Sequence, residues 1–444
     1  MSVPTTPTAP TALPALPTAD DVETAATLLA PVVPPTPLQR SARLSAATGL
    51  DVWLKREDLT TVRSYKVRGA YTVIAGLDAA ARERGVTCAS AGNHAQGVAY
   101  ACARAGVRAT IFLPRTTPRQ KRDRVATLGG SFVEVVIAGE AYDDAASACA
   151  EFAEASGATV VPAFDHPQTI AGQGTVTAEI IDQAADAGLE PAAIVVPVGG
   201  AGLLAGALTL LAERAPGMRV VAAEPAGAAS LAAALEAGGP TDLAHVDPFV
   251  DGAAVRRVGA VTYAAVDAAR ADGGGPVDLA TVAVPEGLIC VEMLDLYQAD
   301  GIIAEPAGAL ASAALRQVVA DPDGGLVPGS TVVCVVSGGN NDVSRYADVV
   351  ERALVHEGVK HYFLVEFPQE PGALRRFLDE VLGPDDDITL FEYTKRNNRE
   401  TGPALVGVEL GDPADLQGLV ERMRTSNLRV QKVDPDSPLF GFVL

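Results

Sequence analysis

Short runs of valine, isoleucine and alanine alternate with longer alanine-rich stretches over residues 20–346, and this leaves few folds open to the chain. Several runs end in glycine-rich turns that lead into a helical pattern. Strands buried on both faces form continuous apolar runs, and the helices between them return the chain to the next parallel strand. The clearest runs are residues 109–113, 159–162, 192–198, 219–224 and 331–336. The alternation therefore predicts an α/β domain with parallel sheets.

The pattern changes after residues 347–359, a charged helical stretch that we interpret as a linker. Residues 360–444 contain four short runs typical of half-buried strands and two helical stretches, in the order βαββαβ. The predicted elements are residues 361–368, 371–382, 388–395, 404–410, 412–427 and 428–433, with Pro371 in the first turn of the first helix and with Asp412 or Asp415 as the cap of the second. We therefore predict a separate ferredoxin-like domain, although the fold alone does not assign its function.

Composition and charge disfavour several classes of protein. The 444 residues carry a formal net charge of −21, and neither predicted domain is basic. Nucleic-acid-binding domains are usually basic, so the charge disfavours this class. No apolar run reaches the roughly 18–20 residues of a membrane span. Residues 1–19 have neither the basic start nor the apolar stretch of a signal peptide, and we predict a disordered tail there. The five scattered cysteines favour a reducing cytoplasm, and no ligand spacing indicates zinc.

Lys66 is a candidate functional residue because lysine is rare among the 34 basic residues of this chain. It lies in Ser-Tyr-Lys-Val-Arg-Gly-Ala, just before an apolar helical pattern. The helix dipole opposes a positive charge at a helix start and favours the neutral amine that a Schiff base or a proton acceptor requires. The alternative is an ordinary exposed lysine, and Lys66 by itself does not decide between the two.

Three further turns each follow a predicted strand. One has the sequence Ser90, Ala91, Gly92, Asn93 and His94 and precedes a helix, so its backbone N–H groups could bind a carboxylate. A second consists of Gly199, Gly200, Ala201, Gly202 and Leu203 and could cradle a phosphate, although it has no P-loop lysine and no complete dinucleotide-binding fingerprint. The third, Ser337-Gly338-Gly339-Asn340, offers a hydroxyl. Each alone is compatible with a plain turn or, for His94, with a helix cap or a packed ring.

Taken together, the turns and the lysine indicate one site, because ligands of open α/β sheets bind beyond the carboxyl ends of the strands. A lysine, a phosphate cradle, a carboxylate site and a hydroxyl are the groups that pyridoxal phosphate acting on an amino acid would need. The four motifs, in this order, resemble those of the fold-type II pyridoxal-phosphate enzymes, whose fold is tryptophan synthase β-like. Within that family they resemble the biosynthetic threonine dehydratases (threonine ammonia-lyases), from about Leu38 to the C-terminus.

The resemblance implies roles for individual residues. Lys66 would bind pyridoxal 5′-phosphate covalently, with Tyr65 against its ring, Asn93 at its 3′-oxygen, Gly252 on the opposite ring face and Ser337 at the pyridine nitrogen. The phosphate would be held by the backbone of Gly199, Gly200, Ala201, Gly202 and Leu203. The substrate carboxylate would bind at the turn of Ser90, Ala91, Gly92, Asn93 and His94. The resemblance also includes Glu305, in Ala-Glu-Pro-Ala-Gly, near the cofactor.

One position departs from the family pattern. The family's glycine loop usually has four glycines and a leucine, and Ala201 replaces one of the glycines. We therefore expect the backbone there to be compatible with alanine.

The activity that the resemblance implies is the deamination of L-threonine to 2-oxobutanoate and ammonia, and of L-serine to pyruvate. Rivals of the same fold are a serine racemase and a catabolic dehydratase. A racemase of this family usually has a second serine where this chain has Ala91, and pairs a metal-binding glutamate such as Glu224 with an aspartate where this chain has Ser230. We therefore predict no metal. A rival of another class is a non-catalytic amino-acid-binding sensor.

Residues 360–444 resemble one copy of an ACT-like regulatory domain, as in the short form of the enzyme. The resemblance implies feedback inhibition by isoleucine, with valine as a second candidate effector, and a homo-oligomer, the tetramer being the family expectation. The alternative is a dimerisation module that binds nothing. Catabolic dehydratases of this fold lack the module, so its presence favours the biosynthetic enzyme.

Overall fold

The computed structural model of the chain describes residues 13–320, 325–395, 398–426, 428–434, 437 and 440. Its contacts divide the chain into two units. The first comprises Met1–Glu286 and Leu296–Asn341, and the second comprises Gly287–Asp295 and Asp342–Leu444. Most of the predicted tail, residues 1–12, lies outside the described residues, and the first helix begins at Ala19 behind an N-cap provided by Thr18.

In the part of the chain that the structure describes, ten strands precede residue 341. They are β1 (Leu38–Arg40), β2 (Asp51–Arg56), β3 (Val86–Ala89), β4 (Ala109–Leu113), β5 (Val133–Ile137), β6 (Thr159–Val160), β7 (Pro191–Pro197), β8 (Arg219–Pro225), β9 (Leu279–Val284) and β10 (Thr331–Val336). Six form one sheet in the order β1-β2-β10-β7-β8-β9, in which only β1 is antiparallel to its neighbour. The other four form a parallel sheet in the order β5-β4-β3-β6. The prediction of parallel sheets is confirmed.

Thirteen helices accompany these strands in the described residues. They are α1 (Ala19–Leu29), α2 (Ala42–Thr48), α3 (Lys66–Ala75), α4 (Ala79–Arg84), α5 (Asn93–Ala105), α6 (Arg119–Gly129), α7 (Tyr142–Ser156), α8 (Pro167–Asp186), α9 (Gly202–Arg214), α10 (Ser230–Ala237), α11 (Ala260–Ala269), α12 (Glu286–Gln298) and α13 (Pro306–Ala320). Helices α3 and α5 share a core with β3 and β4, whereas α8 and α9 pack with β7, β8 and β10. Each sheet of the first unit therefore has its own core.

Two predicted strands match their observed bounds, β4 and β10, and the others differ at their ends. The strand predicted at residues 159–162 ends at Val160, and Pro162 has no N–H with which to extend the ladder. All five cysteines are buried, as expected for small apolar residues. None of the helices in the described part of the chain combines the length and the apolar run that crossing a bilayer requires.

The second unit contains the predicted βαββαβ order. Helix α14 (Tyr346–His356) is followed by β11 (Lys360–Pro368), α15 (Ala373–Glu380), β12 (Asp387–Tyr393), β13 (Thr401–Glu409), α16 (Leu416–Thr425) and β14 (Arg429–Lys432). The strands form one antiparallel sheet in the order β12-β13-β11-β14. Phe363, Phe367 and Phe377 are the large side chains of the core between this sheet and its helices.

Two details of the second unit differ from the prediction. Pro371 does not lie in the first turn of α15, because Gly372 after it has φ +88° and the helix begins at Ala373. A left-handed residue cannot be part of a right-handed helix. Asp412 caps a 3₁₀ turn, Pro413–Asp415, and of the two cap candidates Asp415 is the N-cap residue of α16, without a side-chain hydrogen bond to the helix. The predicted end of this helix at residue 427 lies outside the described residues.

Candidate active site

A cavity of about 770 Å³ lies in the first unit, where the motif turns converge. Its lining contains 14 of the 15 site residues that the sequence predicts, all except Ser337. These residues are Tyr65, Lys66, Ser90, Ala91, Gly92, Asn93, His94, Gly199, Gly200, Ala201, Gly202, Leu203, Gly252 and Glu305. Twelve of them lie after the carboxyl ends of β3 and β7 or at the starts of α3, α5 and α9, whereas Gly252 lies in the loop before α11 and Glu305 just before α13. The topology thus brings together residues from widely separated parts of the chain.

Lys66 is the first residue of α3, and its Nζ projects into the cavity. The Nζ atom donates to the carbonyl oxygen of Ala163 at 3.2 Å and lies 5.2 Å from the centre of the Tyr65 ring. Helix α5 approaches closely at Gly97, where an added Cβ would lie 3.1 Å from the Lys66 carbonyl group. The Lys66 amine is therefore positioned by the Ala163 carbonyl group and lies beside the Tyr65 ring, while α5 packs closely against the Lys66 backbone.

The glycine loop leads from β7 into the N-terminus of α9. A Cβ on Gly200 would lie 2.4 Å from the ring of Phe164, and one on Gly202 would lie 2.9 Å from the Cβ of the same residue. The first N–H groups of a helix have no partner within the helix, and the dipole there favours an anion. The loop therefore offers the cradle that a phosphate group needs.

The structure contradicts the expectation that the backbone at Ala201 suits alanine. Its φ is +63°, in the left-handed region, so the backbone at this position favours glycine rather than alanine. A residue with a Cβ costs roughly 1–2 kcal/mol in this conformation. Ala201 is nevertheless buried within the core of α8 and α9, which packs its methyl group.

Asn93 begins α5 and faces the cavity beside Glu305. Its Nδ2 donates to Glu305 Oε1 at 2.5 Å, and its Oδ1 accepts from Asn340 Nδ2 at 2.7 Å. Burial, followed by the charge of Asp251, raises the pKa of Glu305 to about 7. Asn340 was not singled out from the sequence, although it lies in the same turn as Ser337. Glu305 thus supplies a carboxyl that holds a proton more readily than an exposed glutamate.

Ser337 and His94 have protein partners. Ser337 follows β10, is buried, and its Oγ donates to the carbonyl oxygen of Ala307 at 3.0 Å. The His94 ring bonds through Nε2 to the carbonyl oxygen of Val161 at 2.8 Å, and burial followed by the charge of Lys66 lowers its pKa to about 4. His94 is therefore neutral at pH 7, and its role at the substrate stays a prediction, as does that of Ser337 at the pyridine nitrogen.

Two charged features near Lys66 were missed by sequence reasoning. At the cavity lining, Lys121 of α6 forms an ion pair with Asp251, with 2.9 Å between Nζ and Oδ2. Within α3, the fully buried Arg68 binds Glu57 at 2.8 Å and Glu179 at 2.7 Å. The partners are separated by 11 to 130 residues, so no local pattern indicated them.

Glu224 does not form a metal cluster with its neighbours in the described residues. Its two carboxylate oxygens accept from the backbone N–H groups of Leu231 and Ala232 at 2.6 and 2.8 Å, in the first turn of α10. Burial raises the pKa of Glu224 to about 7. In this structure Glu224 therefore acts as a helix cap.

The residues that line the cavity, taken together, fit pyridoxal phosphate. Gly200 and Gly202 have no room for a Cβ because Phe164 packs against them, and the backbone N–H groups where the loop enters α9 suit a doubly charged phosphate. A lysine amine lies in the same cavity for the covalent link, and Gly252 lies against Ala307, where a Cβ would come within 2.8 Å of the Ala307 methyl group. Asn93 supplies an amide beside the cavity for a ring oxygen.

The comparisons with known proteins agree with this geometry. Residues 29–338 match the family of pyridoxal-phosphate dependent enzymes, and residues 351–443 match the C-terminal regulatory domain of threonine dehydratase. The chain is 59% identical, over 95% of its length and 95% of the relative's, to the biosynthetic L-threonine dehydratase IlvA of Mycobacterium tuberculosis.

Solved structures show the same fold for the catalytic part. The processed form of threonine deaminase isoform 2 from Solanum lycopersicum has a TM-score of 0.66 at 34% identity, covering 77% of this chain and 95% of that one. Maize serine racemase has a TM-score of 0.67 at 28% identity, covering 77% of this chain and 99% of that one. The chain belongs to the family of pyridoxal-phosphate dependent enzymes and carries the C-terminal regulatory domain of the threonine dehydratases.

Proposed function

We propose that this chain is a biosynthetic threonine ammonia-lyase, a carbon–nitrogen lyase that converts L-threonine to 2-oxobutanoate and ammonia, and L-serine to pyruvate. The observation that carries the proposal is the position of Lys66, whose amine shares one cavity with the glycine loop and the Asn93 turn. The relative from Mycobacterium tuberculosis supports the choice of threonine, because it matches along both domains.

Different residues of the chain bind the substrate and transfer the proton. The N-terminus of α5, with Ser90, Gly92 and Asn93, binds the substrate carboxylate through backbone N–H groups. Bound pyridoxal phosphate supplies the electron sink that weakens the Cα–H bond. The Lys66 amine accepts the Cα proton as general base, and the hydroxyl at Cβ takes up a proton and leaves as water, so that the elements of one water molecule are lost in total. The unsaturated amine that is released hydrolyses to the 2-oxo acid and ammonia.

A direct assay tests the activity. The purified protein, supplied with pyridoxal phosphate, should form 2-oxobutanoate from threonine and pyruvate from serine, measured as 2-oxo acid. A protein that shows the visible absorption of the lysine-bound cofactor but forms no 2-oxo acid from either substrate would instead support the amino-acid-binding sensor. A protein that binds no cofactor would contradict the assignment of Lys66 itself.

Ala91 separates a dehydratase from a racemase of the same fold. It lines the cavity at the turn before α5, and its methyl group cannot deliver a proton. We expect deprotonation and reprotonation of Cα from the Lys66 side alone, so L-serine should give pyruvate with negligible D-serine. Chiral chromatography of the reaction mixture checks this. Formation of D-serine at a rate near that of pyruvate would show that another residue supplies the second proton.

The regulatory proposal concerns residues 360–444. We propose that isoleucine, with valine as a second candidate, binds this domain in a homo-oligomer, a tetramer by family expectation. Inhibition requires an inactive state that binds the effector more tightly than the active state does, and couplings of about 1–3 kcal/mol are typical. The chemistry of the product supports the choice of effector, because 2-oxobutanoate is a precursor of a branched-chain amino acid. We propose the cytoplasm as the location.

Deleting residues 361–444 should leave an active enzyme that no longer responds to isoleucine. The deletion removes the whole sheet of the second unit, with its own phenylalanine-rich core, and no residue that lines the cavity. Threonine saturation curves with and without isoleucine, for the full chain and the deletion variant, measure the change. The full chain should give sigmoidal curves with isoleucine. A deletion variant that stays equally sensitive would place the effector site in the catalytic domain.

A further inference from the structure

The orientation of the Asn93 amide follows from a chain of hydrogen bonds that begins at a backbone carbonyl. The carbonyl oxygen of Val62 only accepts, so the Asn340 atom 2.7 Å from it must be Nδ2. The same Nδ2 lies 2.7 Å from the Asn93 side chain, and because Nδ2 only donates, the Asn93 atom there must be Oδ1. The assignment of oxygen and nitrogen in both amides therefore depends on one fixed acceptor.

Asn93 consequently turns its Nδ2 away from Asn340. That Nδ2 donates one hydrogen to Glu305 Oε1 at 2.5 Å, at the cavity lining. An amide nitrogen carries two hydrogens, so one remains for a bound molecule. A ring oxygen with negative charge needs such a donor, whereas the amide oxygen in the same place would repel it.

Asn340 also holds the other partner of Asn93. Its backbone N–H donates to the Glu305 carboxyl, and the Glu305 N–H donates to the carbonyl oxygen of Gly338 at 3.1 Å. Residues 338–340 thus bind Glu305 through the backbone while the Asn340 side chain binds Asn93. One turn after β10 therefore determines where both neighbours lie.

We propose that Asn340 is a positioning residue that fixes the Asn93 amide with its nitrogen, rather than its oxygen, toward the ring oxygen of the bound cofactor. The proposal rests on the proposed function, since it requires pyridoxal phosphate in the cavity. Asn340 acts through Asn93 and does not itself take part in the reaction.

The holoenzyme variant Asn340→Asp tests the proposal. A carboxylate cannot donate, so it loses the bond to Val62 and accepts from the Asn93 amide, which must rotate and present its oxygen to the cofactor. We expect the dissociation constant for pyridoxal phosphate, from fluorescence titration, to rise about tenfold or more, because a hydrogen bond to a charged group is lost. We also expect the pH midpoint of the visible absorption of the lysine-bound cofactor to move upward, because the ring oxygen loses a donor that stabilises its anion.

The matched control is Asn341→Asp, which places the same charge one residue along the chain. The Asn341 Nδ2 donates to the carbonyl oxygen of Ala304 at 3.2 Å. The cofactor dissociation constant and the pH midpoint of the Asn341→Asp variant should stay near those of the protein without substitutions. Equal shifts in the two variants would overturn the proposal and indicate a general effect of the added charge. If Asn340→Asp does not fold, Asn340→Ala should show a smaller shift in the same direction, and an unchanged midpoint there would overturn the proposal.

A double-variant cycle separates positioning from a structural role. In an Asn93→Ala background, adding Asn340→Asp should change the dissociation constant and the pH midpoint little, because the residue through which Asn340 acts is already absent. Additive shifts would overturn the proposal. If the protein without substitutions shows no visible absorption with pyridoxal phosphate, this result would instead contradict the proposed function. Normal absorption with an unaffected Asn340→Asp variant would contradict only the positioning role.

Discussion

Lys66→Ala should lower the rate of 2-oxo acid formation from threonine by several orders of magnitude and remove the visible absorption of the lysine-bound cofactor. The substitution deletes both the covalent link and the base that accepts the Cα proton. Lys66→Arg should also fail, because a guanidinium stays charged and does not form the link. Steady-state kinetics and absorption spectra measure both effects, and circular dichroism should show an unchanged fold.

Lys121→Ala is the matched control for this prediction. Lys121 lines the same cavity, but its ammonium is paired with Asp251 at 2.9 Å. The variant should keep the visible absorption, because the covalent link at Lys66 is intact. Lys66→Ala with a tenth of the original activity, or loss of the absorption in Lys121→Ala with Lys66 unchanged, would refute the assignment of Lys66.

Arg68→Met should destabilise the protein by about 3–5 kcal/mol, because it leaves the buried Glu57 carboxylate without its counterion. Arg68 is 1% exposed and binds Glu57 and Glu179, and the buried Lys55 also binds Glu179, at 2.7 Å. The free energy of unfolding from urea titration measures the loss. The double variant Arg68→Met, Glu57→Leu should recover part of it, since replacing both partners removes the unpaired charge.

The same network predicts a pH dependence. Burial raises the pKa of Glu179, but the charges of Arg68 and Lys55 outweigh it and hold the pKa below its ordinary value of 4.5. A carboxyl with a lowered pKa in the folded state stabilises the protein above its unfolded pKa, and this stability is lost as the pH falls through the folded pKa. Stability should therefore fall on acidification below about pH 4.5, and less steeply in Arg68→Met.

A surface pair provides the control for Arg68. Arg119 and Asp123 lie one turn apart on α6, 3.4 Å from each other, and their side chains are 87% and 66% exposed. Arg119→Met should leave the unfolding midpoint nearly unchanged, because exposed pairs contribute little. An Arg68→Met protein that is as stable as Arg119→Met would show that the buried network does not contribute as the structure indicates.

The elements that the sequence predicted well depend on local patterns. Strands β4 and β10 were predicted at their observed bounds because each is a continuous apolar run with a turn after it. Lys66 was placed at a helix start from its neighbours alone, and α3 begins there. Hydrophobic periodicity and turn residues act over a few positions, so one sequence contains enough information to locate them.

Contacts between distant residues were decided by the tertiary structure. Nothing near Asn340 in the chain indicated that it would bind Asn93, 247 residues away, or that Arg68 would meet Glu179, 111 residues away. The chain has 55 acidic residues, so the choice of a partner depends on how the helices pack. The left-handed φ of Ala201 was missed for a related reason, because the loop conformation is set by what it joins, β7 and α9, and local preference favours glycine there.

By itself, then, the sequence determined the parallel α/β class, the ferredoxin-like second domain and the motif turns that line part of the cavity, because these depend on local periodicity and on short motifs after strands. The tertiary structure alone decided the order of the strands, the ion pairs of Arg68 and the orientation of the Asn93 amide. These depend on which surfaces pack together, and a hydrogen bond or an ion pair forms only where packing brings donor and acceptor within about 3 Å.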